Sequence, residues 1–469
     1  MSNMQQASGI LKLNLVTFTW GEFFMAAQYV VPIGIDNFRK LVTIADADGR
    51  SNLFVDKTNF IQEILRDRSE VILITRPRRF GKTINMSMLQ HFLAAEVEGK
   101  PTKNLFDNLA IAKDQNAMAC QGKYPVIFIT FKDTNETDYP EAEAAIREQI
   151  SATYEEFKYL LDSTKLMSYQ RNTFQRILDK GSSLSELKNA IKNLSKYIYI
   201  DSGIKPYLLI DEYDTPMQVG YSSGYYEKIT NLIKSMLGIA LKGNSNIEKG
   251  ILTGITRIAG ESLFSIFNNP KIRTILDNQY STYFGFTEGE VDALFHKAGL
   301  DYNLSQLKAW YNGYQCGDTL LYNPWSIMQA LHDGGKISGY WINTSTNALV
   351  ADLITNGGDK VYAQLEVLLQ GKTIVENLDE HIVYQNIEKN RAAIWTLLVM
   401  AGYLKIVAVH TSMNNTEYEL ALPNKEVEYF YQNTIQTWLS GDGSAAAYKN
   451  FIKDLLAGDL TEFEAQLSS

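Results

Sequence analysis

Three consecutive residues, Gly81-Lys82-Thr83, are of the types that handle phosphate. A phosphate loop turns backbone N–H groups inward, brings a lysine to the β- and γ-phosphates, and offers a hydroxyl to magnesium. The three stand in VILITRPRRFGKTINM, where an apolar run enters the loop and a helix-compatible segment leaves it. The usual spacing, G-x-x-x-x-G-K-[ST], asks for glycine where this chain has Arg76. That first glycine mainly relieves crowding in the turn. Arg76 before Pro77 can replace it if the chain leaves the strand extended, because a residue preceding proline prefers β geometry. Arg78 and Arg79 add positive charge beside an anion. The candidate nucleotide-binding residues are therefore Arg76, Pro77, Arg78, Arg79, Phe80, Gly81, Lys82 and Thr83. A bare GKT recurs by chance, so it needs a partner.

The partner stands in YLLIDEYDTPM, from Tyr207. Asp211 ends an apolar strand and can hold Mg2+ through water opposite Thr83, which makes Thr83 and Asp211 the candidate metal ligands. Glu212 can polarise the attacking water as a general base. An isolated Ile-Asp-Glu is usually an acidic turn. Here both halves occur in the right order, and ATP with Mg2+ is the expected pair. An Asp-Glu pair favours ATP-hydrolysing families over simple GTPases. In GILTGITRI, Thr253 is a candidate sensor at a strand end, and Arg257 a candidate for reaching the γ-phosphate. A satisfied strand-end hydroxyl and a surface arginine are the plain alternatives. In NLFVDKTNFI, Thr58 is expected to cap a helix, and Phe54 is a candidate neighbour of adenine.

These groups need a scaffold that brings loop and acidic pair together. Strand-like runs at 71–75, 125–131, 207–211, 250–255 and 280–284 alternate with helical segments, which predicts an α/β domain with a mostly parallel sheet. Residues 141–195 show helical spacing in Ile146, Ile150, Tyr154 and Phe157, a helical excursion between strands. Thr287 with Glu290 forms a capping box that opens a helix. The aromatics Trp310, Tyr311 and Tyr314 are expected to pack the core, with Gly313 and Gly317 in tight turns. Beyond residue 348 helices predominate. A helix at 392–401 followed by strands at 404–410 and 417–422 has the winged-helix order.

Composition sets the limits. The 469 residues suffice for two or three domains at roughly 100–200 residues each. A net charge of −9 argues against a surface that blankets nucleic acid. Cys120 and Cys316 carry no spacing motif and suggest a reducing cytoplasm. The five histidines are scattered, which disfavours zinc. The apolar stretch within residues 1–30 is interrupted by Lys12 and Glu22 and lacks a basic n-region, so it reads as an extension rather than a signal or membrane span.

VPIGIDNFRKL, LFVDKTNFI, ITRPRRFGKT, LIDEYDTPM, TGITRI, YFGFTEGEV, WYNGY and YNPWSI together resemble the bacterial AAA-ATPase-like family over roughly 31–345. In that family the loop reads R-P-R-R-F-G-K-[ST], so the resemblance accounts for Arg76. It implies a P-loop ATPase of the additional-strand type with strand order 5-1-4-3-2. A helical lid and a winged-helix-like region would follow it. The implied divisions are an extension at 1–30, an ATPase domain at 31–286, a lid at 287–345 and a C-terminal region at 346–469. Members commonly continue into a PD-(D/E)XK nuclease. Glu388-Lys389 lacks that motif's spacing, and nuclease activity is not expected in this chain. Three readings stay open: an ATPase driving an unknown protein client, an ATP-gated interaction module that does not hydrolyse, and a DNA-binding, defence-associated regulator using the wing. Ring assembly would need an arginine supplied in trans, and no residue is identifiable as one.

Overall fold

The computed structural model describes residues 29–43, 47–257, 270–342, 350, 358–379, 391–412 and 415–439. Residues 1–28, Glu388-Lys389 and everything beyond 439 lie outside these, and with them most of the N-terminal extension and any nuclease-like segment.

Five short strands build the central sheet: β1 (Val71–Thr75), β2 (Val126–Thr130), β3 (Tyr207–Asp211), β4 (Lys249–Gly254) and β5 (Lys271–Arg273). Every neighbouring pair is parallel, and the order across the sheet is β5-β1-β4-β3-β2. That is the expected 5-1-4-3-2 arrangement. β1, β3 and β4 are buried along their whole length because helices cover both faces, which is why they read as unbroken apolar runs. A wholly buried residue such as Ile210 contributes about 1.5–3 kcal/mol.

Helix α1 (Lys82–Leu93) leaves the loop after β1. Between β2 and β3 the chain makes its helical excursion: α2 (Tyr139–Glu155), α3 (Ser168–Leu178) and α4 (Leu184–Ser202). Ile146, Ile150, Tyr154 and Phe157 are buried there as their spacing predicts. Ser183 and Glu186 close a capping box at the start of α4. α5 (Thr215–Ser222) and α6 (Tyr226–Leu241) join β3 to β4. Then come α7 (Glu288–Ala298), opened by the Thr287–Glu290 box, α8 (Leu304–Tyr311), α9 (Pro324–His332) and α10 (Gly358–Leu369). The described C-terminal part holds α11 (Arg391–Met400) and α12 (Lys425–Leu439). With them lies a three-stranded antiparallel sheet of β6 (Ile374–Asn377), β7 (Lys405–Thr411) and β8 (Thr416–Ala421), ordered β6-β8-β7. The helix-then-hairpin order is as expected. The strand β6 is an addition that sequence reading missed.

One apolar cluster runs without interruption from Val71 and Leu73 of the sheet to Trp395, Leu420 and Tyr431. The C-terminal segments therefore share a core with the sheet.

Two expectations need correction. Residues 280–284 are not a strand; the fifth strand is Lys271–Arg273. Tyr280 has a left-handed backbone (φ 64°) and opens a 3-10 turn. Tyr280, Tyr283 and Phe284 instead surround the Phe60 ring, with ring centres 5.3–5.5 Å away. Their aromatic character reflects core packing, not strand pairing. Thr58 does precede a helix, Asn59–Arg66, but its side chain does not cap it. Its own backbone is already helical, so the hydroxyl donates to Asp56 Oδ1 (2.7 Å) and accepts from the Ile111 N–H (3.1 Å).

Candidate functional site

The loop between β1 and α1 contains two left-handed residues, Arg79 (φ 67°) and Gly81 (φ 82°). Alternating hands turn successive N–H groups to one side and make a concavity for anions. A Cβ on Gly81 would make only ordinary contacts, with Ile84 at 3.5 Å and Asn85 at 3.9 Å, so it is the positive φ, not crowding, that selects glycine. The N-terminus of α1 adds its dipole to the same spot. Lys82 is buried, and its ammonium donates to the carbonyls of Arg76 (3.1 Å) and Pro77 (2.9 Å). Burial pulls its pKa down, while Glu212, Asp211 and Asp214 act to raise it.

Opposite the loop, sheet register delivers the acid. Ile210 pairs with Leu252, so the next rung sets Asp211 beside Thr253. The Thr253 hydroxyl donates to Asp211 Oδ1 (2.5 Å) and the Thr83 hydroxyl to Asp211 Oδ2 (2.7 Å). Asp211 is fully buried, and desolvation raises its pKa. Glu212 follows with a left-handed backbone, φ 52°, a costly conformation for a non-glycine residue that aims it out of line with the strand.

A cavity of about 480 Å³ opens over this junction, within the roughly 300–1,000 Å³ typical of small-molecule sites. Arg78, Gly81, Lys82, Thr83 and Glu212 line one end. Ile33, Phe54, Met88 and Phe286 make the rest more apolar, as a base would require.

The AAA-ATPase-like family model, described as predicted AAA-ATPase, matches residues 32–264. This region belongs to that family. An uncharacterised protein encoded in the vnfD 5′ region of Azotobacter chroococcum mcd 1 is 24% identical over 401 residues, which cover 85% of this chain and 68% of that protein. A Walker-type ATPase of Pyrococcus abyssi is similar over 84% of this chain and 99% of its own, at 12% identity and a TM-score of 0.38.

Within this AAA-ATPase-like region, the five residues Arg76 to Phe80 each meet a different element. Arg76 is the first correction to the expected nucleotide-binding set. It is 1% exposed, does not line the cavity, and donates to the carbonyls of Thr75, Arg273 and Thr274 at 2.8–3.0 Å. It fastens β1 to the end of β5, which is why arginine can stand where glycine is usual. Pro77 is the second: it too is absent from the cavity wall, and packs on Gly402, where a Cβ would come within 3.1 Å of it. Arg78 donates to Gln218 Oε1 at 2.9 Å. Arg79 lies 4.2 Å from the centre of the Trp325 ring. Phe80 sits edge-on to Tyr314, 5.0 Å between centres.

Thr253 touches Asp211 and not the cavity, and Arg257 is likewise absent from the cavity wall. Tyr311 and Tyr314 are buried as expected, and Gly313 and Gly317 have positive φ. No group of three or more His, Cys, Asp or Glu side chains arranged for a metal occurs among the described residues, and no described helix is long and apolar enough to cross a membrane.

The Thr83–Asp211 pair nonetheless fits Mg2+ shared with phosphates. A Thr83 hydroxyl that took up Mg2+ could keep donating its proton to Asp211, which lies 2.7 Å away and would hold the metal through water. A buried carboxylate that accepts only neutral hydroxyls here also gains from a cation. Sequence reading missed Asp214, Gln218, Trp325 and the Lys132–Asp36 ion pair (3.0 Å), all at or beside the cavity. The four-residue step from Asp214 to Gln218 on one helix face was the available signal.

Proposed function

We propose that this protein is a Mg2+-dependent ATPase whose turnover changes how the phosphate loop grips the segments beyond the sheet. The observation carrying this reading is the meeting of Thr83 and Asp211 at the end of a cavity lined by Gly81, Lys82 and Glu212. Thr83 and Asp211 would hold the metal, which supplies positive charge to the β- and γ-phosphates when bound. Lys82 has three donors, two of them on loop carbonyls, and would transfer to phosphate oxygens. Glu212 would accept the proton of the attacking water. Thr253 orients Asp211 rather than touching substrate. The apolar end, with Phe54, would take the adenine.

The switch reading rests on the contacts of the loop. Pro77 on Gly402, Arg79 on Trp325 and Phe80 on Tyr314 tie the phosphate site to the turn after α11, to α9 and to the antiparallel pair Tyr314–Cys316 and Thr319–Leu321 that follows α8. A phosphate that moves the loop must strain or release these contacts. The same contacts also favour the second reading, in which ATP binds and locks this arrangement without hydrolysis. An unknown protein client would read the change in either case. The net charge of −9 weighs against autonomous DNA binding.

Phosphate release measured with and without Mg2+ tests the proposal. Wild type should turn over only with Mg2+, Lys82→Ala should not bind ATP, and Glu212→Gln should bind ATP without hydrolysing it. Tight binding with no release by wild type selects the non-hydrolysing module. A salt-dependent shift of DNA mobility would select the regulator instead.

A further inference from the structure

We infer that Arg78 is the arginine, supplied by this same chain, that stabilises charge on the transferred phosphoryl group, and that Gln218, itself held by Asp214, is its positioning residue. The inference rests on the ATPase reading and adds to it a residue path that the motifs do not contain.

The path is continuous. Arg78 lines the cavity with Lys82 and Glu212, and its Nη2 donates to Gln218 Oε1 at 2.9 Å. The other end of the same amide, Gln218 Nε2, donates to Asp214 Oδ2 at 2.8 Å. That oxygen also receives the N–H groups of Ile255 and Thr256, both at 3.0 Å, and the Thr256 hydroxyl at 3.1 Å. Asp214 is 1% exposed and Gln218 is 6% exposed. The arginine is thereby referred, through two buried side chains, to the backbone just past β4.

The residue types suit this role and few others do. An amide can accept from a guanidinium with its oxygen and donate to a carboxylate with its nitrogen at once. Glutamate at 218 would set two carboxylates against each other, and an apolar residue would serve neither neighbour. α5 carries Gln218 and begins beside Glu212, whose carbonyl accepts from the Thr215 N–H at 3.1 Å. The proposed base and the arginine's support therefore ride on one rigid segment. An arginine has many rotamers, and fixing it before reaction spares the transition state that ordering. Gly254 belongs to the same device: a Cβ there would come within 2.6 Å of Asp214 Oδ1.

A double-mutant cycle on the full chain tests it, with kcat and KM for ATP·Mg2+ and the melting temperature read for wild type, Arg78→Ala, Gln218→Met and the double variant. Methionine keeps the length of glutamine but cannot bridge; Gln218→Ala, which adds no bulk, is run beside it. Arg78→Ala should lower kcat about 100-fold or more, as loss of a transition-state donor does. Gln218→Met should lower kcat about tenfold with KM within about threefold, since it loosens Arg78 without removing it. The double variant should be no slower than Arg78→Ala. Guanidinium ion should restore part of the Arg78→Ala turnover when Gln218 is present and not when it is methionine. Multiplying effects in an active enzyme, a normal kcat for Arg78→Ala, or a Gln218 effect confined to melting would overturn the path and leave the ATPase reading standing. A wild type that binds ATP without turnover, or does not bind it, overturns both.

Discussion

The Thr83 hydroxyl donates to the Asp211 carboxylate at 2.7 Å across 128 positions of sequence. The strand β4 lies between β1, whose loop leads into the helix of Thr83, and β3, which ends in Asp211, and its Thr253 holds the other carboxylate oxygen. Asp211 is thus fixed from both sides by neutral hydroxyls in a fully buried position. Such a carboxylate is poorly solvated as it stands and well placed to receive a cation.

Asp211→Asn should separate those two properties. The amide keeps hydrogen bonds with Thr83 and Thr253 but removes a buried charge. The variant is expected to melt no lower than wild type at pH 7.5, with a gain on the order of 1 kcal/mol. Mg2+-dependent phosphate release should fall by about 100-fold or more. Melting curves and phosphate release on the same preparation check both halves; unchanged turnover would remove Asp211 from the metal site.

Trp325 should report on the loop. Its ring lies 4.2 Å from the Arg79 guanidinium, a contact worth about 0.5–2 kcal/mol. Titration with ATP should change tryptophan emission in wild type, and Trp325→Phe should lose most of that change although five other tryptophans remain of the six. An undiminished change in Trp325→Phe would mean that Arg79 does not move.

Gly402 and Gly371 make a matched pair. Both have positive φ, 87° and 74°, but a Cβ at 402 would meet Pro77 at 3.1 Å while one at 371 meets nothing within 4 Å. Gly371→Ala should cost only the backbone strain, about 1 kcal/mol. Gly402→Ala should cost about 1–3 kcal/mol and, by pushing on Pro77, also weaken ATP binding. Equal loss of ATP affinity in both variants would break the proposed link between loop and C-terminal segments.

Glu426 gives a signed pH dependence. It is fully buried, accepts from the Ser326 hydroxyl (2.8 Å) and the Trp341 N–H (2.7 Å), and desolvation lifts its pKa from 4.5 to about 7. The folded state then holds a proton that the unfolded state releases, so this group's contribution weakens as pH rises from about 4.5 to 7 and is flat beyond. Glu426→Gln should remain hydrogen-bonded and remove that slope, leaving the variant more stable at pH 8 by up to about 3 kcal/mol. Denaturant melts of both proteins at pH 5 and pH 8 measure the difference. Asp211 and Asp214, whose pKa values burial also raises, act in both proteins and cancel in the comparison.

Much of the sheet was legible because its strands are buried on both faces: Val71–Thr75 and Tyr207–Asp211 are unbroken apolar runs that end in chemistry. Gly81, Lys82, Thr83, Asp211 and Glu212 could be chosen because phosphate, metal and water each demand particular groups at strand ends. Other features left weaker traces. The fifth strand, Lys271–Arg273, is three residues at a sheet edge and has no apolar run to betray it. The Tyr280–Phe284 aromatics imitate a strand because edge-to-face packing around Phe60 selects the same residue types.

By itself, then, the order of residues determined a parallel sheet with a phosphate loop and an acidic strand end, since those depend on local spacing and on hydrophobicity. The tertiary structure alone decided where each arginine of the loop points. Arg76 turns into strand carbonyls, Arg78 to Gln218 and Arg79 to Trp325. Three identical guanidinium groups carry the same charge and the same donors, so only the neighbours that folding brings from distant positions can give them different work.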